Sequence, residues 1–187
     1  GMGADLFGSC AESTCAALVI GAVAFATNLE ALLFPILISA VGIPVSLVTM
    51  FTARVKEEED VAPALKRLLI VATGLSAVAM YFVTLWALPE SFEINGEVYT
   101  NMDVFLCYLT GAVTGLLVGL LTEYSTSHDF KPVQEVAKAS ETGAATNIIF
   151  GLALGYHSAT GSILLLAVSI YMPFTLAGMY GVAIAAI

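Results

Sequence analysis

Long runs of uncharged, mostly apolar residues alternate along the chain with short polar segments. Four of these runs, residues 13–29, 31–53, 68–89 and 104–122, contain no Asp, Glu, Lys or Arg. A membrane-spanning helix needs about 20 predominantly apolar residues, so each run predicts one span. A fifth run without these residues, 142–187, is long enough for two spans.

Proline divides the last run. Pro173 has no N–H to donate, and it disfavours helical geometry at Met172, so we expect a break at residues 171–173. The chain is then an all-α, polytopic membrane helix bundle of about six transmembrane helices, all parts of one transmembrane domain, residues 1–187. The approximate predicted spans are 5–28, 31–53, 68–88, 104–123, 145–170 and a truncated 174–187.

Composition supports the membrane interpretation. Of 187 residues, 59% are hydrophobic and 11% charged, and the mean hydropathy is +0.93. Soluble domains are about half apolar and about a quarter charged, so a cytosolic enzyme and a disordered segment are both excluded. The net charge is −9, and without a basic stripe a nucleic-acid partner is not expected.

The basic residues predict the orientation in the membrane. All six lie in two polar segments. The first segment contains Arg54, Lys56, Lys66 and Arg67, and the second contains Lys131 and Lys138. Residues 90–103 contain acids and no base. Because basic segments stay on the cytoplasmic side, residues 54–67 and 123–143 are predicted to be cytoplasmic and 90–103 to be outside. The first span then runs outward from a cytoplasmic residue 1.

Three polar residues at helical spacing mark the first span as a candidate ion path. Asp5 and Glu12 are two turns apart, and Ser9 lies between them, so all three share one face. Carboxylates inside a membrane are costly and usually face a cavity or an ion path. The three residues suggest a relay for a cation or proton. The alternative for Asp5 is an interfacial acid that the helix dipole favours.

Other candidate residues have mainly structural interpretations. Glu123 ends the fourth span, where a structural role is as good an explanation as a functional one. Gly111, Gly115 and Gly119 recur every fourth residue, a spacing that allows close helix contact in membranes. The three cysteines do not form a disulfide framework and are interpreted as small packing residues.

Three long motifs resemble one family. GMGADLFGSCAESTCAAL (residues 1–18) is similar to the sixth helix of membrane-bound inorganic pyrophosphatases. TEYSTSHDFKPVQEVAKASETGAATNIIFGLALGY (residues 122–156) is similar to their segment joining helices nine and ten. AGMYGVAIAAI (residues 177–187) resembles the start of helix eleven. These pyrophosphatases are homodimeric ion pumps with roughly sixteen membrane-spanning helices per subunit, so we expect this chain to be an internal segment of such a pump.

The resemblance also implies roles. In the family, inorganic pyrophosphate is bound through Mg²⁺ by Asp- and Asn-rich motifs that lie before residue 1 and after residue 187. No catalytic and no metal-binding residue is therefore expected in this chain. Asp5, Ser9 and Glu12 match the family's ion gate, and Glu123 matches a carboxylate that is a coupling candidate. K⁺ is the expected activator, and helix ten resembles a part of the homodimer interface.

The position of one glutamate predicts the transported ion. Position 8 is Gly and position 12 is Glu, as in the plant-type potassium-stimulated proton pumps that this segment resembles, so a proton is expected. The alternatives are a sodium-pumping pyrophosphatase, an ion-coupled secondary transporter with carboxylates near the midplane, and a structural scaffold. The expected location is a prokaryotic cell membrane or the membrane of a vacuole or acidic organelle.

Overall fold

Helices dominate the computed structural model, which describes residues 1–25, 29–52, 61–94 and 97–187. Arg54 and Lys56, on which part of the predicted orientation depends, lie outside the described residues. The elements in chain order are α1 (Met2–Ala24), α2 (Leu29–Met50), α3 (Val61–Ala87), β1 (Ser91–Ile94), β2 (Glu97–Thr100), α4 (Asn101–Thr126), α5 (Lys131–Ala139) and α6 (Ala144–Ala185).

The prediction of a polytopic helical membrane protein is confirmed. Within the described residues, five helices are long and apolar enough to cross a membrane. Their apolar side chains are largely exposed to the surroundings, as with Phe82, Trp86 and Ile163. Such surfaces are stable against lipid or other membrane helices, so the chain is a multi-pass membrane protein.

The described chain comprises two compact units, Gly1–Val113 with Ser169–Ile187, and Thr114–Val168. The first unit has a core of buried side chains from α1, α2, α3, α4 and the end of α6. At its centre the ring of Phe25 contacts Tyr180 edge-on, with 4.8 Å between centroids, and contacts Phe92 at 5.3 Å. These contacts join the end of α1 to β1 and to α6.

One close helix contact follows the predicted glycine spacing. A Cβ atom at Gly111 would overlap the backbone of Ala185, whereas a Cβ at Gly115 would have no neighbour within 4 Å among the described atoms. The packing interpretation of this stripe is therefore confirmed for Gly111.

The predicted break at residues 171–173 is wrong in position. Helix α6 continues through Pro173 and loses helical geometry at Ala177 (φ −145°, ψ 28°) and Gly178 (φ 58°, ψ −148°). Membrane helices tolerate proline where neighbouring groups satisfy the freed backbone atoms. The carbonyl that Pro173 leaves without a helical donor is that of Ser169, four residues earlier, whereas the Pro173 carbonyl itself accepts a hydrogen bond from the Cys107 thiol across 3.7 Å. The break falls instead at a glycine, which adopts positive φ without steric cost.

A β-hairpin occupies the segment between α3 and α4. Strands β1 and β2 are antiparallel, with Phe92 opposite Tyr99 and Glu93 opposite Val98. Thr100 and Asp103 then form a reciprocal cap at the start of α4. The Thr100 amide donates to Asp103 Oδ2 at 2.9 Å, and the Asp103 amide donates to Thr100 Oγ1 at 3.3 Å. This capping arrangement fixes the hairpin to the helix start.

The second unit contains the end of α4, the short helix α5 and much of α6. Helix α5 lies within residues 123–143, the polar segment that is predicted to be cytoplasmic. Gln134 Nε2 donates to the His128 carbonyl at 3.1 Å and joins α5 to the preceding turn. A cavity of about 720 Å³ in this unit is lined by Lys131, Glu135 and His157, among other residues.

Candidate ion-translocation site

Helix α1 places the three predicted ion-site residues on one face. At 100° per residue, Asp5, Ser9 and Glu12 fall within an arc of about 60°, and Asp5 and Glu12 are about 10 Å apart along the axis. All three side chains are exposed in the described part of the chain. The face therefore presents two carboxylates and a hydroxyl to whatever surrounds α1.

The opposite side of α1 packs against α2. Ala17 and Gly21 are buried there, and Leu32 of α2 lies 3.7 Å from the position of a Cβ on Gly21. The hydroxyls of Thr14 and Ser39 are 2.7 Å apart across this interface. Within the described residues, α2 therefore packs against the side of α1 that lies opposite the two carboxylates.

The Thr14–Ser39 hydrogen bond is a feature that sequence reasoning missed. Hydroxyl pairs of this kind contribute roughly 0.6 kcal/mol on average between membrane helices. Both residues lie inside uncharged runs, so their sequence context gives no sign that they meet. Only a prediction of which faces of α1 and α2 pack together would have identified the pair.

Glu123 belongs to a different part of the chain. It lies near the end of α4, within the second unit, and is half-buried. Its backbone carbonyl accepts a hydrogen bond from the Ser127 amide at 2.9 Å. Its role as a coupling residue stays a prediction.

The described residues do not fit a magnesium ion. Across residues 1–25, 29–52, 61–94 and 97–187, no group of three or more His, Cys, Asp or Glu side chains is arranged to hold a metal. Mg²⁺ is bound by converging oxygen ligands, and Asp5 and Glu12 are too far apart along α1 to converge on one ion. No hydrolytic step is therefore assigned to these residues.

The fold and the paired carboxylates define a class, that of polytopic membrane proteins with ionisable groups on a spanning helix. Comparison with known proteins identifies the family. Residues 1–187 match the family described as inorganic H⁺ pyrophosphatase, and the chain belongs to this family.

Named relatives include pumps for two different ions. The chain is 33% identical over 195 residues to a K(+)-insensitive pyrophosphate-energized proton pump of Methanosarcina mazei, covering 100% of this chain and 27% of that protein. It is 32% identical over 195 residues to a Clostridium tetani protein named as a candidate K(+)-stimulated pyrophosphate-energized sodium pump, with the same coverage. A proton pump of Moorella thermoacetica, also K(+)-insensitive by name, is 32% identical over 194 residues, covering 99% of this chain and 28% of that protein. The chain thus spans little more than a quarter of these relatives.

Proposed function

We propose that this chain acts as part of a longer, pyrophosphate-energised ion pump, and that it supplies the helix on which the transported ion is held. The observation that supports this proposal most directly is the arrangement on α1. Asp5, Ser9 and Glu12 lie within one arc of the helix, away from its contact with α2. An ionisable residue inside a membrane-spanning helix is by default a functional-site hypothesis. Hydrolysis of inorganic pyrophosphate, with Mg²⁺ as cofactor, belongs to residues outside this chain.

The proposed transported ion is the proton. Sodium needs several oxygen ligands around it, and Gly8, one turn from Asp5, offers no side-chain oxygen. Glu12 lies one turn further along α1 than Gly8 and supplies a carboxyl group that can exchange a proton. A carboxyl group that exchanges a proton is a relay, whereas a fixed carboxylate with several neighbouring oxygens is a sodium ligand.

The second candidate is a sodium pump of the same family. The observation that favours it is the 32% identity to the Clostridium tetani protein, which is close to the 33% identity to the Methanosarcina mazei proton pump. Overall identity therefore does not separate the two ions. The arrangement of Gly8 and Glu12 on α1 is the feature that favours the proton.

Potassium activation and homodimer formation complete the proposal. The three relatives named above pair potassium stimulation with sodium and potassium insensitivity with protons. A potassium-stimulated proton pump would pair potassium stimulation with proton transport, which none of these three relatives does by name. The effect of K⁺ must therefore be measured together with the identity of the transported ion. Glu123 is the proposed coupling residue between hydrolysis and transport.

The test uses a full-length pump that contains this sequence, reconstituted with Mg²⁺ and pyrophosphate. Glu12→Gln and Asp5→Asn should reduce ion transport per pyrophosphate hydrolysed, because each removes a titratable group from the proposed path. Glu30→Gln is the matched control, since Glu30 lies in the first turn of α2. Equal transport per pyrophosphate in Glu12→Gln and in the unsubstituted pump would contradict the proposed site.

The same preparation separates a pump from a secondary transporter. Pyrophosphate hydrolysis in correctly folded protein supports the pump. Ion-coupled solute transport without hydrolysis would favour the transporter with midspan carboxylates. A scaffold would tolerate Asp5→Asn and Glu12→Gln without any change in transport.

A further inference from the structure

The cavity of about 720 Å³ in the second unit is lined by residues of α4, α5 and α6, and we call it the α5 cavity. Lys131 and Glu135 of α5, Tyr124 of α4, and His157 and Leu164 of α6 are among these residues. All of them belong to the second unit. Sites for small molecules usually have volumes of about 300–1,000 Å³, so the α5 cavity is large enough to hold a ligand.

On the predicted orientation, the α5 cavity lies at the cytoplasmic edge of the membrane. A Cβ atom at Gly161 would come within 2.6 Å of Leu121 Cδ2, so α6 passes α4 at this level. Leu121 lies two residues before the cytoplasmic end of the predicted span 104–123. From Gly161, His157 lies about one turn towards the cytoplasm and Leu164 about one turn into the hydrocarbon. The cavity therefore extends from the headgroup region into the apolar part of the membrane.

The side chains of the α5 cavity change from charged to apolar in the same direction. Lys131 and Glu135 lie within residues 123–143, the segment predicted to be cytoplasmic. At the membrane end, Leu121 and Leu164 line the cavity, and Leu164 is 65% exposed. A water-soluble ligand would gain little from an apolar end that opens towards lipid, whereas an amphiphile matches both ends. The occupant that fits this arrangement is a membrane lipid.

Two opposite charges at the polar end indicate the headgroup of that lipid. Lys131 and Glu135 are four residues apart on α5, so they share a face and are separated by about 6 Å along the axis. In the part of the chain that the structure describes, neither side chain forms an ion pair or a hydrogen bond. Lys before Glu is also the weaker order for a pair at this spacing. Both charges are therefore available to a zwitterionic ligand.

Hydrogen bonds hold α5 in place on both sides. Gln134 Nε2 donates to the His128 carbonyl at 3.1 Å, and Thr146 Oγ1 donates to the Ala139 carbonyl at 3.1 Å. The first bond joins α5 to the preceding turn, and the second joins its end to the start of α6. The two charges are thus presented from a fixed backbone, which lowers the conformational cost of binding.

We propose that the α5 cavity binds a phospholipid with an ethanolamine headgroup from the cytoplasmic leaflet. The Lys131 ammonium donates to the lipid phosphate, the Glu135 carboxylate accepts from the lipid ammonium, and an acyl chain lies beside Leu164. The phosphate and ammonium of this headgroup are linked by two carbons, close enough for one turn of helix to contact both. This inference goes beyond the proposed function, because it involves no residue of α1 and holds whichever ion is transported.

The test identifies the lipid beside position 164 by photo-cross-linking. A full-length pump containing this sequence carries p-benzoylphenylalanine in place of Leu164. It is reconstituted in nanodiscs with equal amounts of phosphatidylethanolamine, phosphatidylcholine and phosphatidylglycerol. Mass spectrometry of the peptide containing residue 164 identifies the attached lipid. The account predicts about tenfold more phosphatidylethanolamine than phosphatidylcholine, the factor expected for one hydrogen bond to a charged group.

Leu166 is the matched control position, since it is 53% exposed on α6 and does not line the cavity. The lipid attached there should follow the composition of the nanodisc. Equal enrichment at positions 164 and 166 would contradict a site in the α5 cavity. Cross-linking of position 164 to a second copy of the pump instead of to lipid would also overturn the proposal.

Substitutions on α5 separate the two contacts. Glu135→Gln should abolish the preference for phosphatidylethanolamine, because the lipid ammonium loses its acceptor. Lys131→Gln should lower the yield of all three lipids without changing that preference, since each of them has a phosphate. The matched controls Glu141→Gln and Lys138→Gln, at exposed positions outside the cavity, should change neither quantity. An unchanged preference in Glu135→Gln would contradict the assigned contact.

Methylated headgroups test the same contact without changing α5. N-methyl and N,N-dimethyl phosphatidylethanolamine still have an N–H that can donate to Glu135, whereas phosphatidylcholine has none. Both methylated lipids should therefore remain enriched over phosphatidylcholine at position 164. Loss of the enrichment with the first methyl group would refute a hydrogen bond between the headgroup and Glu135. None of these outcomes depends on pyrophosphate hydrolysis, which tests the proposed function separately.

Discussion

Tyr180 donates a hydrogen bond from its hydroxyl to the backbone carbonyl of Ala31, across 2.8 Å within the core of the first unit. In a regular helix this carbonyl would accept from the amide four residues later, but that position is Pro35, which has no N–H. The tyrosine from α6 therefore replaces the donor that the proline removes from α2. This pairing explains how α2 carries an interior proline at a buried position.

The first prediction concerns this replacement. Tyr180→Phe should lower the free energy of unfolding by about 1–2 kcal/mol, because a buried carbonyl is left without its donor. In a Pro35→Ala background, residue 35 has an amide that can donate to the Ala31 carbonyl. Tyr180→Phe should then lower the free energy of unfolding by less than about 0.5 kcal/mol. Denaturant titration in detergent, followed by circular dichroism, measures both values.

Tyr171→Phe is the matched control, since Tyr171 is 70% exposed on the same helix. It should change the free energy of unfolding little in either background. Equal losses for Tyr180→Phe with and without Pro35 would show that the hydroxyl does not replace the missing donor.

The second prediction concerns the contact of α4 with α6. Gly111→Ala should destabilise the chain by about 1–3 kcal/mol, the usual cost of forcing an extra methyl group into a packed site. The cause is the overlap of the new Cβ with the Ala185 backbone. Gly115→Ala meets nothing within 4 Å in the described atoms and should be neutral or slightly stabilising in this 187-residue chain. Thermal unfolding of both variants in one detergent decides the matter, and a larger loss for Gly115→Ala would refute the assigned packing.

The third prediction concerns orientation. Val98→Cys on the hairpin should react with a membrane-impermeant thiol reagent from outside, and Gln134→Cys on α5 should react only from the cytoplasmic side. The reason is that basic segments remain cytoplasmic. Both side chains are exposed, so access does not limit the reaction. Labelling of Val98→Cys from the cytoplasmic side alone would reverse the topology.

The sequence predicted the helices well because the membrane imposes their length. An uncharged run of about 20 residues has few alternatives to a helix once no water is present to satisfy the backbone. The positions of α2 and α4 follow from runs 31–53 and 104–122 for this reason. The hairpin Ser91–Thr100 and helix α5 lie in polar segments, where this constraint does not act.

The break in α6 and the Tyr180 contact could not be predicted locally. Pro173 normally predicts a helix end, but α6 continues through it and loses helical geometry only at Ala177 and Gly178. Ala31 and Tyr180 are separated by 149 positions, and nothing in either local sequence indicates the other. For the candidate site, spacing alone predicted the shared face of Asp5, Ser9 and Glu12. The hydrogen bond between the Thr14 and Ser39 hydroxyls required the structure.

The identity of the transported ion is the central claim, and one measurement tests it most directly. A full-length pump containing this sequence is reconstituted in liposomes with Mg²⁺ and pyrophosphate outside, and internal pH and sodium are followed together, with and without K⁺. The account predicts internal acidification without sodium uptake, and loss of that acidification per pyrophosphate in Glu12→Gln. Sodium accumulation that persists when the pH gradient is collapsed would contradict it.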